Sequence, residues 1–436
     1  MRTPPHRRSR RLGTATGSAV VAAGLALLLA GCSSPAPAAS DAAGTEATAS
    51  ATEAPTRGDA DLVIWANGPI VQALEPVVEK FGEEQGITVE VQAVATELQT
   101  NFVTANASGN GPDIVLGAHD WIGNLVQNGA IDPVQISADQ AASFLPVAMD
   151  AVTYNGQTYG MPRSVESLIL IRNKALAPDE PTSIENMLAT GQAAVDAGTA
   201  TRALNLQVGA KGDAYFMQPF YSSAGGYLFG RNADGSLNPD DLGVGQPGSI
   251  AAAEKIAALG DTGTGVLTQS VSSDNAIAQF TEGKIPFMIN GPWSLGDIKK
   301  AGIDYGLSSI PGFEGLSAAQ PFTGVQAFYV ASNAKNKSFA QTFVQTVGSD
   351  PETERAIWEG DNLPPANTAL VEELAAEYPD TKLAADAAAA GIPMPAIPEM
   401  AAIWAPLGQA EAAIVAGADP AATMTEAGST ITAALQ

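Results

Sequence analysis

From residue 61 onward, apolar and polar positions fall into blocks of two different periods. Leu62-Val63-Ile64-Trp65 is an unbroken apolar run and predicts a short buried strand. Val71–Phe81 repeats apolar residues at helical spacing, and Ile87–Val94 alternates as a strand does. Glu97–Ala107 predicts a helix and Asp113–Leu116 a third strand. Asp120 is placed to N-cap a helix over Trp121–Asn128, with Ile122, Leu125 and Val126 inward and Gly129 as the stop. This alternation predicts an α/β protein whose mostly parallel sheets are flanked by helices.

Further along, Tyr154-Asn155-Gly156-Gln157 is a hairpin turn, and Met161-Pro162 leads into an apolar strand at Ser167–Arg172. That crossing predicts a boundary between two lobes. A second α/β region runs from about Glu166 to Phe322. Thr323-Gly324-Val325-Gln326 then reads as a return crossing, followed by a strand at Phe328-Tyr329-Val330 and a helix at Ser338–Val347. The tail from about Asp350 is alanine-rich and helical, broken at Pro364-Pro365 and at Pro393, Pro395 and Pro398.

One corner combines rigid geometry with an aromatic. A helix ends at Gly283, an apolar strand spans Ile285–Ile289, and Asn290-Gly291-Pro292 turns the chain into a helix that Pro292 can open. Trp293 is thereby held at the carboxyl end of a strand, where α/β proteins bind ligands. Its indole suits stacking on a flat face such as a sugar ring. On local sequence alone, a core role for Trp293, capping the strand, fits somewhat better.

Composition narrows the classes of partner. Residues 1–31 hold five arginines and no acid, so the rest of the chain carries 16 basic against 46 acidic residues, a balance of −30. Such a body is repelled by nucleic acid and by anionic bilayers. The arginines precede an apolar run, Ala19–Ala30, which is too short to span a bilayer and ends in Leu29-Ala30-Gly31-Cys32. This reads as an export signal with a lipobox, and Cys32, the sole cysteine, as the site of a diacylglycerol anchor. Residues 32–60, poor in large apolar side chains, are expected to form a flexible tether. The two histidines, His6 and His119, are too few for a metal site, and the sequence points to no cofactor.

Ordered blocks along the body resemble the maltose/maltodextrin-binding proteins of ABC importers, within the family 1 extracellular solute-binding proteins. They are Leu62-Val63-Ile64-Trp65-Ala66-Asn67-Gly68, Gly111-Pro112-Asp113-Ile114, Ala118-His119-Asp120, Tyr154-Asn155-Gly156, Val165-Glu166-Ser167-Leu168 ahead of Asn173-Lys174, Ala224-Gly225-Gly226-Tyr227, Met288-Ile289-Asn290-Gly291-Pro292-Trp293, and Met394-Pro395-Ala396-Ile397-Pro398-Glu399-Met400 leading to Trp404. The resemblance implies a two-lobed periplasmic-binding-protein type II-like fold. The first lobe would take residues 61–165 and 323–348, and the second 166–322 and 349–436. It also implies a monomeric, lipid-anchored receptor on the extracellular face of the membrane. Such a receptor closes on an oligosaccharide, with α-glucan favoured, and presents it to ABC permease subunits without chemistry.

Carried over by position, Asp120, Glu166 and Asp213 would be polar ligand contacts, and Tyr215, Trp293 and Trp404 aromatic platforms. The chain departs from the pattern in several places. Pro69-Ile70 replaces an Asp-Lys pair, Gly117 a Trp, Trp121 an Arg and Gly408 an Arg, while Asp213 stands for a Glu. Polar contacts are lost from one wall, and Trp121 joins the candidate ligand contacts. Two other readings stay open at this point. Carboxylates with aromatics also make a cation cage suited to a polyamine, and a glycan-degrading enzyme would need paired carboxyls that nothing in the sequence marks.

Overall fold

The computed structural model describes residues 56–233 and 237–436. The expected export signal and Cys32 lie outside these residues, as does the expected tether except for 56–60. Those last residues belong to the packed body, contrary to expectation. Arg57, its side chain 3% exposed, forms an ion pair of 2.5 Å with the fully buried Asp113 carboxylate. Asp113 also accepts the Val63 and Asn336 N–H groups at 2.8 and 3.1 Å. A buried charge is tolerated only with such partners, so the fold begins before Asp61.

Eleven strands build the two main sheets: β1 (Leu62–Ala66), β2 (Val89–Ala93), β3 (Ile114–Ala118), β4 (Ile131–Asp132), β5 (Gly160–Ser167), β6 (Ile169–Asn173), β7 (Leu204–Asn205), β8 (Phe287–Asn290), β9 (Tyr305–Ser308), β10 (Phe322–Ala331) and β11 (Ile392–Pro393). The first sheet runs β11-β10-β3-β1-β2, with β4 and β5 also paired to β10. β1 pairs in parallel with β2 and β3 and is buried along its whole length, as a covered central strand must be. β10 enters antiparallel to β3 and β5. The second sheet runs β9-β6-β8-β7, and only its β8–β7 pair is parallel. Each sheet carries helices and its own hydrophobic core, which gives a two-lobed α/β fold.

A single residue, Leu168, separates β5 in the first sheet from β6 in the second. At the same level β10 and β11 start, with Thr323 in register with both Ser167 and Pro393. Three chain crossings therefore lie side by side. The tail divides differently from the expected 349–436 assignment. Ile357, Ala366, Val371, Ala385 and Ala388 pack into the first core, whereas Met394, Ile403, Leu407, Met424 and Ile431 pack into the second. Helical periodicity marks an inward face but not which sheet that face meets.

Candidate ligand-binding site

The carboxylates come from three separate segments. Glu166, next to last in β5, lies opposite Gly324 of β10. A methyl group on Gly324 would come within 2.6 Å of Glu166 Cγ, so bare backbone leaves this side chain its space. Gln326 Nε2 donates to Glu166 Oε1 at 3.0 Å. Burial raises the Glu166 pKa, and the Gln326 hydrogen bond and the Arg163 charge oppose that rise.

Asp120 differs from its expected role. It sits inside a 3-10 turn, His119–Trp121, at the carboxyl end of β3, and the following helix, Ile122–Gln127, has no side-chain cap. A turn between strand and helix moves Asp120 away from the capping position. Its Oδ1 is instead buried without a hydrogen-bond partner. Burial pushes its pKa up to about 6, and the Glu166 charge adds to the effect. Asp213 does cap a helix, Ala214–Ser223, accepting the Phe216 N–H at 3.2 Å. It also accepts a hydrogen bond from Gln207 Nε2. Burial raises its pKa against these bonds.

Tyr215 ties the three acids together. Its hydroxyl is buried without a partner. Burial holds its pKa well above the ordinary value, and the charges of Glu166, Asp213 and Asp120 raise it further. One hydroxyl thus feels three carboxylates drawn from both lobes. The Tyr215 ring stacks on Phe322 with centroids 6.0 Å apart at 28°, and Trp404 meets Phe322 edge-on at 5.7 Å and 74°. Asp120, Glu166, Asp213, Tyr215 and Trp404 form one group.

Trp293 and Trp121 make no ring contact with this row among the described residues. Each lies at a strand's carboxyl end. Trp293 is on the turn Pro292–Ser294 after β8, resting on the second core, and Trp121 is on the turn after β3, resting on the first. All seven candidates are half-buried, so they are neither core residues nor freely solvated acids. Trp65, by contrast, is fully buried and donates its indole N–H to Gln92 at 2.8 Å.

Two further residues belong here that the sequence reading missed. Glu411 lies on the helix Trp404–Val415 with no exposure, and both carboxyl oxygens lack partners. Burial, with the Asp213 charge added, raises its pKa well above the usual carboxylate range. Its place seven residues after Trp404, on the same helix face, is the signal that could have found it. Tyr329 of β10 is also buried with an unpartnered hydroxyl, and the Asp120 charge adds to the burial that raises its pKa. Gly408 lies against the backbone of the segment that carries Asp213. A methyl on Gly408 would lie 3.2 Å from the Gly212 carbonyl carbon and 3.3 Å from the Asp213 nitrogen.

Beside this group, a cavity of about 770 Å³ is lined by His119, Phe322, Tyr154, Gln218, Tyr227 and Met394 among others. None of the seven candidates is part of its wall; His119 and Phe322, which touch the group, are. Chemically, the group offers carboxylate acceptors, unpartnered hydroxyls and flat apolar faces. No cluster of three or more His, Cys, Asp or Glu placed to hold a metal ion occurs among the described residues. No helix among them is long and apolar enough to cross a membrane.

Comparison with known proteins places this arrangement in a family. The family described as bacterial extracellular solute-binding protein matches residues 77–391. The chain is similar to the maltodextrin-binding protein MdxE of Bacillus subtilis (strain 168), with 28% identity over 394 residues, or 89% of each protein. It is similar to the galactooligosaccharide-binding protein of the same organism, with 25% identity over 387 residues, 85% of this chain and 88% of that protein. A maltooligosaccharide ABC transporter solute-binding lipoprotein of Streptococcus pneumoniae (strain ATCC BAA-255 / R6) is 25% identical over 364 residues, 79% of this chain and 82% of its own length. The family match spans more than half of the sequence and the fold has two lobes; the chain belongs to the bacterial extracellular solute-binding protein family.

Proposed function

We propose that this protein is the receptor of an ABC carbohydrate importer, binding an α-glucan such as a maltodextrin between its lobes and handing it to permease subunits. The observation that carries this reading is the convergence of Asp120, Glu166, Asp213 and Tyr215 beside the Phe322–Trp404 row, with Asp120 Oδ1 and the Tyr215 hydroxyl buried and unpartnered. A buried polar atom without a partner costs roughly 1–3 kcal/mol. A polyol supplies hydroxyls that relieve that cost and C–H faces that cover the rings. Trp293 would be a further platform from the second lobe. The reading assigns the acids to binding and involves no catalytic step. It takes Cys32 as the lipid anchor that holds the receptor at the outer face of the membrane, and the working unit as a monomer. Two similar proteins are named for maltodextrin or maltooligosaccharide and one for galactooligosaccharide, so both sugar classes belong in the test.

Isothermal titration with maltose, maltotriose, longer maltodextrins, cyclodextrins, galacto-oligosaccharides and spermidine is the deciding measurement. The expected result is binding of maltodextrins, with a melting temperature that rises with their concentration. Binding of galacto-oligosaccharides alone would move the ligand class, and binding of spermidine alone would replace the sugar reading. Shortened chains after incubation with maltodextrins would overturn the assignment as a receptor without chemistry.

A further inference from the structure

The two lobes carry the same local construction at one strand end each. β3 ends in Gly117-Ala118, a 3-10 turn carries Trp121, and a helix follows at Ile122. β8 ends at Asn290, Gly291 follows, a 3-10 turn carries Trp293, and a helix starts at Leu295. In both, the indole lies on glycine backbone by the same edge. A methyl group built on Gly117 would overlap Cζ3 of Trp121, and one built on Gly291 would overlap Cζ3 and Cη2 of Trp293. Neither ring could lie there over any other residue.

The turn that carries Trp121 faces the second lobe. His119 on the same turn bonds to the Met394 carbonyl oxygen at 3.0 Å, and Met394 packs into the second core. Asp120 Oδ1 is buried and unpartnered on this turn. Trp121 itself is half-buried, with part of its surface open.

From this geometry we infer that Trp121 is the stacking platform of the first lobe, the counterpart of Trp293, and that Gly117 is the positioning residue that lets its indole lie over the strand end. This inference rests on the proposed sugar site and adds to it a second aromatic jaw. Stacking on both lobes gives the ligand contacts that exist together only when the lobes are near each other, which favours closure. The glycine acts through the tryptophan.

A double-mutant cycle read by titration with maltotriose tests this. Trp121→Ala is expected to weaken binding tenfold or more. Because Trp121 also rests on the first core, Trp121→Leu is the second variant; it keeps apolar contact, lacks a flat face, and is expected to lose affinity similarly with an unchanged apo melting temperature. Gly117→Ala is expected to weaken binding at least fivefold in the wild-type background and less than twofold in the Trp121→Ala background. Wild-type binding with Trp121→Leu within twofold of it would overturn the inference and leave the sugar reading standing. An equal loss from Gly117→Ala in both backgrounds would overturn the role of the glycine. Absence of any maltotriose binding by the wild type, under conditions where another solute binds, would overturn the sugar reading and this inference with it.

Discussion

His119 is neutral in the folded protein. Its Nδ1 accepts the Val325 N–H at 3.1 Å, so the ring proton sits on Nε2, which donates to the Met394 carbonyl oxygen at 3.0 Å. The ring thus joins the first lobe's β10 to the chain segment just after β11. Burial pushes its pKa down from 6.5 to about 4. An unfolded histidine takes up its proton below pH 6.5, and the folded one waits until about pH 4. Its contribution to stability is therefore complete above pH 6.5 and lost as pH falls toward 4, worth about 3 kcal/mol in all. Asp120, Glu354 and Glu411 act with the opposite sign, because burial raises their folded pKa values and their contribution is lost as pH rises. The wild-type curve sums these effects, so the informative quantity is the difference from His119→Gln. That variant should melt lower than wild type by several degrees at about pH 7.5, and the gap should shrink toward about pH 4.5. A gap of constant size across the range would mean that His119 does not titrate as its burial requires.

Spacing between elements determines whether single residues can converge. The segment leading into the helix Ala214–Ser223 meets the helix Trp404–Val415 through bare backbone, Gly212 against Gly408. The first helix brings Asp213 and Tyr215, and the second brings Trp404 and Glu411. Gly212 has φ +80°, and a methyl there would also overlap the Gly408 carbonyl. Gly212→Ala should therefore cost on the order of 2 kcal/mol or more in urea unfolding and weaken sugar binding at least tenfold. Gly408→Ala, with contacts of 3.2–3.4 Å that a small shift relieves, should cost less in both measurements. Equal effects would show that the helix spacing is not set here. Much at this scale was legible in the sequence. Gly291-Pro292 punctuates the chain whatever packs around it, and the uninterrupted apolar run at Leu62–Trp65 marks a buried strand. Asp120 was misread because a capping residue is defined by backbone angles, and the intervening 3-10 turn leaves no mark in residue types. Glu411 was passed over because its depth comes from how closely another segment approaches Gly408. The fate of residues 351–390 was illegible for a similar reason, since an apolar helix face does not name its partner sheet.

At the scale of the molecule, the three crossings near Leu168, Phe322 and Ile392 are hydrogen-bonded into one band. Ser167 Oγ donates to the Phe322 carbonyl at 3.0 Å, and Thr323 Oγ1 to the Ala388 carbonyl at 2.5 Å. Closure on a ligand would bend this band while each sheet stays rigid, since each keeps its own core. The acidic body gives a way to identify what drives that closure. Beyond the first 31 residues the chain carries −30, so a polycation would be drawn in by long-range attraction as well as by the three carboxylates. A neutral sugar feels no such field, and its hydrogen bonds and ring contacts lie within the site, where added ions screen little. Titrations between about 50 and 500 mM NaCl, over which the screening length falls from roughly 14 Å to 4 Å, should leave the maltodextrin dissociation constant within about twofold. A tenfold or greater loss over that range would mark a ligand held by net charge. The half-buried acids of the site would then be a cation cage, with Tyr215 and Trp404 as its walls.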